Sequence, residues 1–263
     1  MVYYSNSSRL DSGLITVFRN RVGDVFFLLG FYFFSLSGAW WNDVFCLWGG
    51  VLFFCAVFFG AITKRAQIPF SAWLPAAMAA PTPVSSLVHS STLVTAGVYV
   101  LIRYHVLFSG VGWFVKVFSI LTMVLGGITA CFEKDFKKVI AISTLSQLGM
   151  MLFVLSIGIW VLSYLHMLIH AFFKSILFLR AGSLISHNFG GQDSRFYGGY
   201  FFGGVGYVYF LIRCLSLSGF PFVIGFYSKD TIISSLSLGR GFVFLCCFFF
   251  GCFLTVCYRV RLV

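Results

Sequence analysis

The chain alternates long apolar stretches with short polar connectors, and the lengths of these stretches predict its elements. A helix needs about 20 mostly apolar residues to cross the hydrocarbon core of a bilayer. Eight stretches approach this length, at residues 23–41, 44–63, 84–103, 112–132, 138–157, 159–180, 198–224 and 241–258. The pattern therefore predicts an all-α polytopic membrane protein with about eight transmembrane helices.

The composition excludes most other classes of protein. Of 263 residues, 60% are apolar and only 10% are charged, whereas an ordinary soluble domain has about 25% charged residues. The mean hydropathy is +0.97. A soluble fold of this size could not cover so much apolar surface, so a disordered chain, a soluble enzyme and a disulfide-stapled secreted module are excluded.

The net charge is +11, and the positions of the basic residues indicate how the chain is oriented in the membrane. Basic residues punctuate the apolar stretches, so the lipid bilayer is the expected partner and nucleic acid is not. If the connectors alternate sides, twelve basic residues fall on one face and three, Arg103, Lys229 and Arg240, on the other. Basic residues concentrate on the matrix or cytoplasmic side of a membrane, so both ends of the chain are predicted to lie there.

Two of the apolar stretches are interrupted near prolines. Lys64 precedes the segment 65–70 with Pro69, and the segment 218–222 with Pro221 precedes Lys229. Proline removes a backbone donor, and the freed groups must then face protein or a wet cavity inside a membrane. Two such broken helices indicate an ion site in inverted-repeat transporters. The alternative for each break alone is a kink that only improves packing.

His166, His170 and Lys174 recur every four residues within one predicted span. On a helix they share one face over about 12 Å. A line of titratable groups can pass protons along, and histidine suits this because its unperturbed pKa is about 6.5. Intramembrane ionisable residues are usually functional. The alternative is two hydrogen-bonded core histidines and a lysine that snorkels to the surface.

Three more polar positions are candidates for the same chemistry. His89 lies among serines and threonines, which suits either a water-lined path or ordinary helix packing. Asp24 either pairs with Arg19 or Arg21 or tunes a nearby lysine. Asp230 directly follows the lysine of the second break, but adjacent residues on a helix face different directions.

No motif predicts a cofactor or a metal in this chain. The 8 cysteines include no Cys-x-x-Cys pair and lie in apolar stretches, as buried small hydrophobic residues do. The sequence contains no phosphate-binding loop, dinucleotide fingerprint or nucleophile elbow. Energy for moving ions must therefore come from elsewhere.

Several runs of residues resemble a known family in their order along the chain. They are Ala-Gln-Ile-Pro-Phe, Trp-Leu-Pro-Ala-Ala-Met and His-Ser-Ser-Thr-Leu-Val-Thr-Ala-Gly within 64–99, Asp-Phe-Lys-Lys-Val-Ile-Ala and Ser-Thr-Leu-Ser-Gln-Leu-Gly within 135–149, His-Ala-Phe-Phe-Lys at 170–174, and Gly-Phe-Tyr-Ser-Lys-Asp at 225–230. These runs resemble the chain 5 family of antiporter-like subunits in NADH:ubiquinone oxidoreductase, respiratory complex I.

The resemblance implies a partial antiporter-like inverted-repeat fold that pumps protons without a redox cofactor of its own. Residues 1–22 would be a matrix-side segment. Residues 23–110 would end the first repeat, with its broken helix near 64–70. Residues 111–263 would form the second repeat, with its broken helix near 218–225.

The resemblance also implies a proton relay of buried side chains. Its members would be Lys64 of the first broken helix, His89 of the next helix, the central group His166, His170 and Lys174, Lys229 and Asp230 of the second broken helix, and Asp24 near the first channel. Expected partners are the other membrane-arm subunits of complex I, including the neighbouring antiporter-like subunit, in the mitochondrial inner membrane or a bacterial plasma membrane.

The chain departs from that family at both ends. Family members begin with helices that this sequence lacks, one of which carries a glutamate that pairs with the lysine of the first broken helix. Lys64 is therefore expected to lack this carboxylate within the chain. Either another polypeptide supplies the missing helices, or the subunit is reduced, or the sequence is incomplete. Two alternatives stay open: the large subunit of a multisubunit Na⁺/H⁺ antiporter, and a reduced, non-pumping structural subunit of complex I.

Overall fold

The computed structural model describes residues 7–36, 47–87, 92–105, 108–197, 205–237 and 242–262. Within these ranges the chain forms α-helices, one short 3₁₀ helix at Ser194–Tyr197 and no strand. The helices are α1 Ser7–Leu36, α2 Leu47–Lys64, α3 Trp73–Ala77, α4 Thr82–Ser85, α5 Leu93–Arg103, α6 Phe108–Phe132, α7 Phe136–Ser156, α8 Trp160–His187, α9 Val205–Ser218, α10 Ile224–Ser237 and α11 Phe242–Leu262.

The predicted all-α membrane architecture is confirmed. Among the described residues, four segments are long and apolar enough to cross a membrane: Gly112–Phe132, Phe136–Ser156, Trp160–His187 and Val243–Leu262. Shorter apolar helices cover Leu52–Lys64, Leu93–Arg103 and Val208–Ser218. The division of the chain into two repeats stays a prediction.

The first helix differs from its predicted bounds. The apolar stretch covers 23–41, but α1 begins at Ser7 and runs on through the charged residues Arg19, Arg21 and Asp24. Hydropathy locates only the part of a helix that suits hydrocarbon, whereas a helix continues until something breaks it. No proline interrupts this segment.

The stretch predicted at 84–103 is divided. The short helix α4 follows Pro81 and contains Pro83, and α5 begins at Leu93. Residues 88–91 between them lie outside the described part of the chain. The backbone is extended at Pro81, the residue before α4, where φ is −59° and ψ is 153°.

Helix α7 is the buried centre of the molecule. It packs against α6, α8, α11 and the short α3, and the whole of its apolar window is buried within the protein. A helix that is covered on all sides has no surface for lipid. Its polar side chains therefore face other parts of the protein, which places them where a site can form.

The charged connector before α7 is more ordered than a solvated loop. Asp135 forms an isolated antiparallel bridge with Asp193, and the Phe136 backbone N–H donates to the Gln192 carbonyl at 2.9 Å. The Lys138 ammonium, 2.6 Å from the Asp135 carboxylate, donates a hydrogen bond that holds the pKa of Asp135 below its usual value. These contacts join the α6–α7 connector to the segment after α8.

Both predicted helix breaks are confirmed. After α2 ends at Lys64, Ala66 has a positive φ of 55°, and the Trp73 indole N–H donates to the Thr63 carbonyl at 3.1 Å. The second break separates α9 from α10, and Gly219 there has φ 88°. That left-handed conformation costs glycine little because it has no Cβ.

Gly225→Ala is expected to destabilise the second break. A Cβ at Gly225 would collide with the Ser216 carbonyl oxygen, which is backbone and cannot turn away. The change should therefore destabilise the fold by about 1–3 kcal/mol. The measurement is the temperature at which half of the chain becomes insoluble when its membranes are heated and then extracted with detergent.

Gly112→Ala is the matched control. The nearest atom to its added Cβ is the Ser156 carbonyl oxygen at 3.4 Å, an ordinary van der Waals contact. The control should keep the parent's temperature. An unchanged temperature for Gly225→Ala would contradict the close approach of α9 and α10.

Candidate functional site

A row of buried titratable side chains lies where α8 faces α7 and α10. His166, His170 and Lys174 of α8 are 2%, 1% and 0% exposed, and Lys229 of α10 is 7% exposed. The rings of His166 and His170 are 6.3 Å apart between centroids. The spacing of four residues places these groups on the inner face of α8, as the sequence predicts.

His166 joins two neighbouring helices. Its Nδ1 lies 3.1 Å from the Ser228 hydroxyl oxygen of α10, and its Nε2 lies 3.3 Å from the Gln147 carbonyl oxygen Oε1 of α7. Both nitrogens of this buried ring thus have partners, which avoids the cost of an unpaired polar group.

Lys174 does not snorkel. Its ammonium donates to the Ile140 carbonyl at 2.9 Å and to the Ser143 hydroxyl oxygen at 2.5 Å. Both acceptors belong to α7, and both are uncharged. The lysine is therefore held inside the protein by neutral oxygens.

Lys229 caps the second helix break. Its ammonium donates to the Leu217 carbonyl at 2.6 Å and to the Ser218 carbonyl at 3.2 Å. The last carbonyls of a helix have no partner within that helix, and inside a membrane they need one from elsewhere. The lysine supplies that donor, so the break and the charge stabilise each other.

His170 within the row and Arg259 beside it have different surroundings. His170 makes no hydrogen bond within the described part of the chain and lies one helical turn from both His166 and Lys174. Arg259 of α11 is 2% exposed, lies over the Tyr258 ring and acts electrostatically on His170 and Lys174. The sequence pattern counts Arg259 as a connector residue, because it follows the last apolar stretch.

The first break holds a separate ion pair. The Lys64 ammonium lies 2.7 Å from the Asp24 carboxylate, while Arg21 lies 3.7 Å from it. Asp24 thus contacts a lysine as well as Arg21, and α1 gives Lys64 a carboxylate other than the glutamate of the related family. The side chains of Lys64 and Asp24 are 24% and 40% exposed.

Two predicted site residues remain, one exposed and one outside the described part of the chain. Asp230 is exposed, although its neighbour in sequence, Lys229, is buried. His89 lies outside the described residues. The roles of all these side chains in a proton relay stay predictions.

The sequence arguments missed the neutral partners of the row. Ser143 and Gln147 lie four residues apart on α7 and so share a face, and Ser228 directly precedes Lys229. Polar residues at helical spacing within an otherwise apolar, charge-poor span were the available signal. The pattern could not say which other helix they face.

Comparison with known proteins identifies relatives along the whole chain. Residues 1–255 match the family model described as NADH:quinone oxidoreductase/Mrp antiporter, TM. NADH-ubiquinone oxidoreductase chain 5 of Aedes aegypti is 47% identical, and the alignment covers 100% of this chain and 47% of that relative. The chain therefore spans about half the length of the curated relatives it matches.

Solved structures have the same fold. The Mrp complex from Dietzia sp. matches with a TM-score of 0.85 at 26% identity, covering 98% of this chain and 31% of that chain. The membrane-bound sulfane sulfur reductase, an archaeal respiratory membrane complex, matches with a TM-score of 0.86 at 22% identity, covering 99% and 57%. The second likeness is one of fold alone.

Ser143→Ala is expected to destabilise the chain through Lys174. The buried ammonium would lose one of its two acceptors, and a hydrogen bond to a charged group contributes about 1.5–3 kcal/mol. Heating the membranes and extracting the remaining soluble chain, as for the glycine variant, measures the loss.

Ser156→Ala is the matched control on the same helix. Ser143 and Ser156 each donate to the carbonyl three residues earlier, at 2.8 Å and 2.6 Å. The hydrogen bond from Lys174 distinguishes them. Equal stability of the two variants would show that the lysine gains nothing from the Ser143 hydroxyl.

Proposed function

Because the chain belongs to the NADH:quinone oxidoreductase/Mrp antiporter transmembrane family, we propose that it is a proton-translocating subunit in the membrane arm of respiratory complex I. It couples NADH:ubiquinone electron transfer, which occurs in other subunits, to proton pumping. It holds no redox cofactor and resides in the mitochondrial inner membrane. Its partners are the other membrane-arm subunits, including the neighbouring antiporter-like subunit.

The buried Lys/His row carries this proposal. Placing ionisable groups inside a membrane costs free energy and marks ion pathways and proton relays. Here two histidines lie between two lysines, and every member is buried among α7, α8, α10 and α11. A row of packing residues would not need four titratable groups in register.

The contacts of the two lysines suit the loading and release of a proton. The acceptors of Lys174 and Lys229 are backbone carbonyls and a hydroxyl, and no carboxylate among the described residues pairs with either lysine. A positive charge on one member of the row repels a charge on the next, strongly so in a low dielectric. Charging one end therefore favours release at the other, which is how electrostatic coupling along the arm would move protons.

The Asp24–Lys64 pair belongs to the first half-channel in this proposal. The pair is partly exposed on the surface of the bundle, at the ends of the predicted spans 23–41 and 44–63. In this proposal a further segment covers the pair and brings the second carboxylate. That segment belongs either to a longer polypeptide or to a separate chain.

A second candidate is the large subunit of a multisubunit Na⁺/H⁺ antiporter. The likeness to the Mrp complex, with its TM-score of 0.85, favours it. The identity of 47% to a complex I chain, against 26% to the Mrp chain, favours complex I. A reduced, non-pumping structural subunit is the remaining alternative, and the variants below distinguish it.

Lys174→Met and, separately, Lys229→Met are expected to lower the number of protons pumped per NADH oxidised. Methionine keeps the length of the side chain but removes the titratable group. Quenching of a pH-sensitive dye in sealed membrane vesicles, measured together with NADH oxidation, gives the ratio. Lys134→Met is the control, because Lys134 is exposed in the α6–α7 connector.

The control should keep the parent's ratio. If the complex assembles with Lys174→Met or Lys229→Met and the ratio is also unchanged, the chain is a structural subunit and the relay proposal is wrong.

Assignment to complex I is tested by peptide mass spectrometry on the native-gel band that stains for NADH dehydrogenase activity. Peptides of this chain are expected in that band. If a separate polypeptide in the band carries the glutamate helix, Lys64 gains its second carboxylate from that partner. Absence of this chain from the band would favour the Na⁺/H⁺ antiporter.

A further inference from the structure

The Ser228 hydroxyl lies between two groups that can each accept its proton. Its oxygen is 3.1 Å from Nδ1 of His166 and 3.2 Å from the Gly225 carbonyl oxygen. Ser228 is 2% exposed. A hydroxyl has one proton and two lone pairs, so it can donate to only one of these groups at a time.

The opposite side of the His166 ring has a different constraint. Nε2 lies 3.3 Å from Oε1 of Gln147, and an amide oxygen can only accept. Nε2 must therefore carry a hydrogen whether the ring is neutral or charged. Loss and gain of a proton are thus confined to Nδ1, the nitrogen that faces Ser228.

We propose that Ser228 is a positioning residue that links the protonation of His166 to the second helix break. While His166 is neutral, the Ser228 hydroxyl donates to Nδ1. When a proton from the relay binds Nδ1, that nitrogen donates to the serine oxygen, and the hydroxyl proton turns to the Gly225 carbonyl. No covalent bond of serine breaks, and the only atom gained is the transported proton. This inference rests on the proposed pumping function.

The location of Gly225 gives this turn of the hydroxyl a consequence. Gly225 lies in the first turn of α10, directly after the break. Lys229, the residue after Ser228, donates to the Leu217 and Ser218 carbonyls on the other side of the same break. The charge on His166 therefore changes a hydrogen bond at the point where the neighbouring lysine holds the two half-helices together.

Other titratable and charged groups act on His166 or on its neighbours in the row. Lys229 of α10 and His170 of α8 interact electrostatically with His166. Lys174 of α8, Arg259 and Cys252 of α11, and Cys214 of α9 act on the next members of the row, His170, Lys174 and Lys229. Helix α7 contributes Gln147, which is uncharged. All of these stay in place when only the serine hydroxyl is removed, so a change in pH dependence reports on the hydroxyl.

Ser228→Ala tests this link in the assembled complex. When His166 is charged, the substitution removes a charge-assisted hydrogen bond to the serine oxygen. When His166 is neutral, it removes a hydrogen bond between neutral groups. The charge-assisted bond is the stronger, so the substitution disfavours the charged ring. The acid side of the pH profile of NADH-driven proton uptake should therefore move to lower pH by about 0.7 unit. Ser228→Thr keeps a hydroxyl and should restore the parent profile.

Ser235→Ala is the matched control. Ser235 also lies on α10 and donates to the carbonyl three residues earlier, at 2.8 Å, as Ser228 does, but it bonds to no histidine in the described part of the chain. Its profile should coincide with the parent's. Equal shifts for the two alanine variants, or no shift for Ser228→Ala, would overturn the inference.

Gln147→Met keeps the test decisive if Ser228→Ala does not assemble. It removes the hydrogen-bond acceptor of Nε2, which stabilises the charged ring more than the neutral ring. The acid side of the pH profile should therefore again move to lower pH. The absence of this shift would overturn the inference. Lys174→Met, measured alongside, separates two kinds of failure. If it leaves the proton ratio unchanged, the proposed function fails; if it lowers the ratio while the serine profile stays at the parent's, only the link through Ser228 fails.

Discussion

A backbone carbonyl inside a membrane must have a donor, and the site of this protein depends on that requirement. A broken helix leaves carbonyls without their usual partners, and hydrocarbon offers none. At the second break Lys229 donates to the Leu217 and Ser218 carbonyls. At the first, the Trp73 indole donates to the Thr63 carbonyl. At the second break the free carbonyls stabilise Lys229 inside the protein, and Lys229 in turn stabilises the broken helix.

Helix α7 brings the separate parts of the row together. It is covered along its length, so its polar residues lie against other helices. The Ile140 carbonyl and Ser143 hold Lys174, and Gln147 holds His166. The contacts of Lys174 and His166 with α7 use only neutral acceptors, whereas Lys64 contacts the Asp24 carboxylate. The buried row and the first ion pair therefore differ in the kind of acceptor that faces the lysine.

Helix boundaries show where hydropathy succeeds as a guide and where it does not. The ends of α2 at Lys64 and of α9 at Ser218 follow from local chemistry, because nearby prolines and glycines break a helix wherever it packs. The start of α1 at Ser7 was not predictable in this way. Hydropathy finds only the apolar part of a helix, and α1 begins with a charged part that lies before it. The burial of Arg259 was missed for the same reason.

The sequence by itself determined the helical membrane architecture, the two breaks and the shared face of His166, His170 and Lys174, because each follows from apolar length, backbone restriction or the period of one helix. Only the tertiary structure decided which partners those side chains have. Asp24 meets Lys64 across two helices, and Ser228 and Gln147 meet His166 across three. Asp230 is exposed beside buried Lys229, because adjacent residues on a helix point in different directions. Periodicity tells which residues of one helix face the same way, but the packing of the helices determines what they face.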